Sequence, residues 1–136
     1  MAITTTTNTI FDGNRTASMQ FTGISDGSGA LTGATLIDPA QMSPPAKAVK
    51  IKRIIGSVSY GIVELYWDAL PPVKFAELSG DYVDYDYERS GSLTSKLAGP
   101  DATGKVLIST IGFSQNSTYQ LKLDVTKSYR NQIVVA

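Results

Sequence analysis

Three stretches carry the residue types from which chemistry could be built. Asp84 and Asp86 lie two residues apart in the run DYVDYDYER, so on a strand they would share a face about 7 Å apart, a spacing open to a cation site or to paired-carboxylate acid–base work. Asp26 sits in a Gly/Ser loop, but one acidic residue supplies too few hard oxygen ligands for calcium. Gly99 to Lys105 has the glycine and lysine spacing of a phosphate-binding loop. Val106, however, stands where a magnesium-binding Ser or Thr belongs, and the residues after it read as a strand, so no helix N-terminus is offered to a phosphate. A nucleotide site is rejected on that ground. Lys47, Lys50, Lys52 and Arg53 are the densest basic patch, yet nothing aromatic interleaves with them as single-stranded nucleic acid would require.

The composition narrows the chemistry further. The chain has neither cysteine nor histidine, which removes disulfides, thiolate nucleophiles, the usual triad base and the commonest zinc ligand. Twelve basic and twelve acidic residues cancel, so no overall field draws in nucleic acid or an anionic membrane. No apolar run approaches the roughly 20 residues that span a bilayer. The expectation is a chain that is no enzyme, holds no cofactor and binds neither nucleic acid nor membrane. For Asp84 and Asp86 the structural reading is a charged strand surface that keeps other edges from pairing with it.

The elements that must position these residues are strands. Residues 62–80 are the centre of the pattern: Val63, Leu65 and Trp67 alternate with Glu64, Tyr66 and Asp68, which predicts a half-buried strand with the sole tryptophan as core anchor. Leu70-Pro71-Pro72 forces an extended corner, after which a second strand restarts and is expected to stop at Gly80. Ala17, Met19 and Phe21 mark an earlier strand, and residues 31–37 a short one followed by a proline-rich loop with a single helical turn near residues 40–42. Val49 and Ile51 begin another strand, with a phase slip at Ile54-Ile55 that suggests a bulge or a strand buried on both faces beyond it, and a turn is expected at Tyr60-Gly61. Val83, Tyr85 and Tyr87 alternate with Tyr82, Asp84 and Asp86. Residues 90–103 read as a loop. Residues 105–111 and 118–125 read as two strands of a central hairpin, with Tyr119, Leu121, Leu123 and Val125 facing inward.

The fold class is therefore all-β: a single antiparallel β-sandwich of jelly-roll-like character over residues 11–126, with an extended N-terminal arm over residues 1–10 and a C-terminal tail over residues 127–136. Its 136 residues suffice to bury about 65–70% of the surface an unfolded chain exposes.

The order of several short segments resembles a family of small virion structural proteins of tailed bacteriophages. These are Phe11-Asp12-Gly13-Asn14-Arg15, Leu65-Tyr66-Trp67-Asp68-Ala69, Ala76-Glu77-Leu78-Ser79-Gly80, Thr103 to Thr110 leading into Gly112, and the closing strand from Tyr119 to Leu123. The chain departs from that pattern at Leu70-Pro71-Pro72 and in the long run from Tyr82 to Tyr87. The resemblance implies a β-sandwich on the capsid surface that acts as a decoration or cement protein, and it brings no catalytic residues. The partners implied are the phage major capsid protein and further copies of the chain as a dimer or trimer. The candidate interface residues are Thr5, Thr7, Ile10 and Phe11 in the arm, Leu93 and Leu97 in the loop, and Ile133, Val134 and Val135 in the tail. The alternatives are a tail, neck or fibre component, or a carbohydrate-binding module that stacks sugars on Trp67 or on Tyr82, Tyr85 and Tyr87.

Overall fold

A computed structural model describes residues 3–27, 31–42, 44–87, 93, 94 and 102–128. Among them seven strands account for nearly all regular structure: β1 (Ile3–Asp12), β2 (Thr16–Ser25), β3 (Ala34–Ile37), β4 (Ala48–Trp67), β5 (Val73–Asp86), β6 (Val106–Ile111) and β7 (Thr118–Ser128). A 3₁₀ turn at Pro39–Gln41 is capped by Asp38, whose carboxylate accepts from the Ala40 N–H at 3.1 Å. Every strand pairing is antiparallel, in the order β1-β2-β7-β4-β6-β3, with β5 on the free side of β4.

One strand makes the sheet fold over on itself. The first part of β4 pairs with β7 from Ala48 to Val58, and its last part pairs with β6 from Ile62 to Trp67. Between them the chain bends at Ser59-Tyr60-Gly61, and β5 follows through register shifts of its own. The two halves face each other across a core that joins Phe21, Leu121 and Leu123 on one side to Leu65, Trp67, Val106 and Ile108 on the other. This is the expected all-β sandwich. Trp67 is 0% exposed and stacks on Phe75 at 4.4 Å between ring centroids, so the alternation in residues 63–67 located the core anchor.

Four expectations are corrected by this arrangement. Tyr60-Gly61 does not end a strand. Gly61, at φ 101°, bends β4 within its span, and an added Cβ would lie 2.7 Å from the Ile111 carbonyl oxygen and 2.6 Å from the Phe113 ring. Gly61→Ala is therefore expected to destabilise by about 1–3 kcal/mol, readable as a lower urea midpoint. Gly80 likewise does not stop β5, which runs on to Asp86.

β6 and β7 are not a hairpin. β6 lies between β4 and β3, and β7 between β2 and β4. Residues 112–117 cross from one layer to the other and are held to the end of β2, where Asn116 N–H donates to the Ser25 carbonyl at 2.8 Å and Ser25 N–H to the Ser117 carbonyl at 2.9 Å. Finally, the sheet takes in residues assigned to the arm and the tail. β1 pairs with β2 from Ile3 onward, since a run of threonines suits a pleated strand, and β7 continues to Ser128.

The loop with phosphate-loop spacing has a structural task. Thr103 N–H donates to the Asp68 carbonyl at 3.0 Å and its hydroxyl to the Asp68 carboxylate at 2.7 Å, while Asp68 N–H donates to the Lys105 carbonyl at 3.1 Å. These bonds tie the start of β6 to the β4–β5 corner, and Val106 opens a strand.

Candidate assembly surface

β1 occupies one end of the strand order, and among the described residues nothing pairs with its outer edge. Its register with β2 sets the direction of its side chains. Thr5 lies opposite Gly23, Thr7 opposite Phe21 and Thr9 opposite Met19, so these threonines stand on the core side of the sheet, although residues 5–10 are exposed. The register shifts between Thr9 and Phe11, which makes Ile10 the extra residue of a bulge. Ile10 and Phe11 are each 50% exposed. Edge strands are ordinarily protected by lysine, proline or inward-pointing charge. From residue 3 to residue 11 β1 has no charged residue and no proline, and the bulge is its one blunting device.

Across from β1, on the opposite layer, lies another edge strand, β3. The two enclose a slot of about 80 Å³ walled by Thr5, Thr7, Leu31 and Leu36 and floored by Phe21, Ile108 and Tyr119. The Tyr119 ring crosses Gly23 so closely that a Cβ there would sit 2.1 Å from its Cε2. The Tyr119 hydroxyl is buried and has no hydrogen-bond partner among the described residues, and burial pushes its pKa up to about 12.

The remaining interface candidates fall elsewhere. Leu93 is half-buried against the core and bridges Ile51 by two backbone bonds, 2.8 and 3.0 Å long, which gives it a structural role beside β4. Leu97, Ile133, Val134 and Val135 lie outside the described residues.

A second surface is the outer face of β2, β7, β4 and β5. The register aligns Gln20, Lys122, Ile55 and Asp84 in one row and Ser18, Asp124, Arg53 and Asp86 in the next. Arg53 holds Asp84 through two bonds of 2.9 and 2.6 Å, and the Tyr82 hydroxyl reaches the same carboxylate at 3.3 Å. That guanidinium keeps the Asp84 carboxyl below its usual range, so the paired aspartates of the sequence include one committed to a surface ion pair. A depression of about 210 Å³ opens beside them, lined by Gln20, Ile55, Ser57, Tyr82, Gln120 and Lys122. Tyr82 is 69% exposed and Tyr85 is 37% exposed, its hydroxyl donating to the Glu77 carbonyl at 3.0 Å. Trp67, buried in the core, is no part of any stacking platform.

Sequence reasoning missed Glu64. It lies directly opposite Glu77 on β5, an arrangement of like charges that would destabilise the pair. Lys74 resolves it, with its ammonium 3.0 Å from Glu64 and 3.4 Å from Glu77, and the Tyr66 hydroxyl donates to Glu64 at 2.9 Å. The Lys74 bond is the main reason the Glu64 pKa lies below the ordinary 4.5. A lowered carboxyl pKa contributes stability that is present above the unfolded value and lost as pH falls through the folded one. Lys74→Met is therefore expected to flatten the fall in stability below about pH 4.5. Urea midpoints measured against pH for both proteins check this, and parallel curves would exclude it.

No family model and no curated protein sequence matches the chain. Solved structures similar to it include a mutant of a carbohydrate-binding module of family 29, at 10% identity and a TM-score of 0.41 over 97% of this chain and 98% of that one. A second family 29 mutant, made to probe ligand recognition, is similar at 10% identity and a TM-score of 0.37 over 99% of this chain and 88% of the other. The solution structure of CtCBM11 is similar at 8% identity and a TM-score of 0.33, covering 94% of this chain and 84% of that one. At these values no binding residue is carried across, and the fold described here rests on its own strand order and register.

Proposed function

We propose that this chain is a non-enzymatic structural protein of a tailed-phage virion, a decoration or cement protein that sits on the outer shell and bridges neighbouring major capsid protein subunits. The observation that carries this reading is the long, neutral edge of β1 ending in exposed Ile10 and Phe11. Such an edge left bare invites uncontrolled pairing, so its retention fits a protein whose edge is covered in an assembly. A rigid sandwich with many repeated weak contacts on a symmetric shell gains its hold by avidity. The resemblance of its segment order to that of phage virion proteins supports the same reading.

The test is the copy number of this chain in gradient-purified virions, by quantitative mass spectrometry against the major capsid protein. A ratio near that of the capsid protein is the expected result. A few copies per particle would move the chain to the tail, neck or fibre, and absence would end the virion reading.

One observation favours a second reading as a carbohydrate-binding module. On the outer face exposed Tyr82 stands beside a depression bordered by two glutamines and Lys122, a ring for sugar C–H faces next to donors and acceptors for hydroxyls. Affinity electrophoresis against neutral polysaccharides decides it: retardation abolished by Tyr82→Ala would support sugar binding, and unretarded wild-type protein would exclude it.

A further inference from the structure

We infer that two copies of this chain pair through β1, edge to edge and antiparallel, forming a two-fold dimer with one continuous sheet and leaving Ile10 and Phe11 free to meet another surface. The inference rests on the assembly reading only in the strand it uses.

The choice of β1 follows from charge and length. A two-fold pairing sets each edge against itself, so an edge dominated by one sign of charge meets the same sign on its copy. β5 carries Glu77, Asp84 and Asp86, so self-pairing would set one acid-rich edge against another. β3 has four residues, too few for a stable edge contact. β1 is ten residues long and carries no charge before Asp12, and threonine opposite threonine is a favourable cross-strand pair. The bulge at Ile10 limits the regular run to residues 3–9, about 23 Å of strand. Centred on Thr6, this run places Thr5 opposite Thr7 of the second copy and Thr4 opposite Asn8.

The slot between β1 and β3 points to the same occupant. Thr5 and Thr7 wall it, half-buried Ala34 and Leu36 of β3 flank it, and the buried Tyr119 hydroxyl at its floor lacks a partner among the described residues. In a two-fold pair, residues opposite one another share a face of the joined sheet. Thr5 and Thr7 of the second copy therefore stand on the core side beside the open slot, where they bring both methyl groups and hydroxyls.

The full chain is tested by sedimentation equilibrium over a range of concentrations and by a single-cysteine variant, which is clean because the chain has no cysteine of its own. Wild-type protein is expected to be a dimer. Thr6→Cys should be captured as a disulfide-linked dimer under mild oxidation, since only Cα atoms within about 7 Å can be bridged. The double substitution Thr5→Lys with Thr7→Lys sets like charges opposite each other twice and should raise the dissociation constant about tenfold or more. Both positions are exposed in the protomer, and an unchanged far-ultraviolet circular dichroism spectrum would show that the fold is intact.

A wild-type monomer would overturn the dimer and give the edge to another occupant, such as residues 129–136 of the same chain or the shell protein. A dimer indifferent to the lysines and not captured by Thr6→Cys would overturn it by showing another interface. These outcomes are separable from the functional one. A monomer found at shell-wide copy number would remove only the dimer, and a dimer missing from virions would remove only the virion role.

Discussion

Trp67→Ala is expected to lower stability by about 3–5 kcal/mol, the range for emptying a large aromatic site in a core that cannot collapse around it. The loss should be near the top of that range. Trp67 is fully buried and stacked on Phe75, and it lies where β4, β5 and β6 meet, opposite Val73 on one strand and Val106 on the other. Backbone pairing on both sides hinders the chain from closing the cavity. Against a total stability of about 5–15 kcal/mol, such a loss removes a third or more. Trp67→Phe should cost much less, because it keeps a ring beside Phe75 and removes an indole N–H that has no hydrogen-bond partner among the described residues. Urea denaturation followed by circular dichroism measures both. In the wild-type chain acrylamide should barely quench the Trp67 fluorescence, and ready quenching would sink the core assignment.

Asp12→Ala should destabilise by about 3–5 kcal/mol, the usual result of removing one partner from a buried ion pair. Lys127 has a side chain that is 0% exposed, with its ammonium 2.5 Å from the Asp12 carboxylate and 3.0 Å from the Pro44 carbonyl. Without Asp12, a buried cation keeps one neutral acceptor. Asp12 is 20% exposed, so although the oxygen that faces Lys127 is buried its carboxylate keeps some contact with water, and Lys127→Met should cost less. Combining the two should recover part of the loss, a coupling of about 1–3 kcal/mol in a double-mutant cycle. Strict additivity would show that the pair does not act as a unit. The pair also bears on assembly, for it locks the end of β7 to the end of β1 and so holds the edge in register with β2.

That anchoring connects the fold to the proposed role. An edge can pair with another chain at low entropic cost only if it is already extended and fixed. β1 meets that condition through nine paired positions on β2 and through Asp12. Its bulge then divides it into a straight run suited to self-pairing and an apolar end suited to a different surface.

Local pattern determined which side chains share a face. In the sequence the alternation about Trp67, about Phe21 and from Tyr119 to Val125 located the core, because a strand's period of two depends only on its own residues. The absence of histidine and cysteine and the cancelled charge bounded the chemistry in the same way, from residue identity alone. Tertiary structure decided everything that depends on which strand lies beside which. Residues 105–111 and 118–125 look like a hairpin because they are adjacent in sequence, but β4 is long enough to serve both layers and takes each as a separate neighbour. Tyr60-Gly61 and Gly80 read as stops because a glycine that bends a strand and a glycine that ends one have the same local signature. Lys127 reads as the start of a tail, and its burial depends on partners far away in sequence, Asp12 and the Pro44 carbonyl, that make a buried ammonium tolerable. The open slot beneath Thr5 and Thr7 has no sequence signature at all, since it is made by two edges that meet only when the sheet folds over.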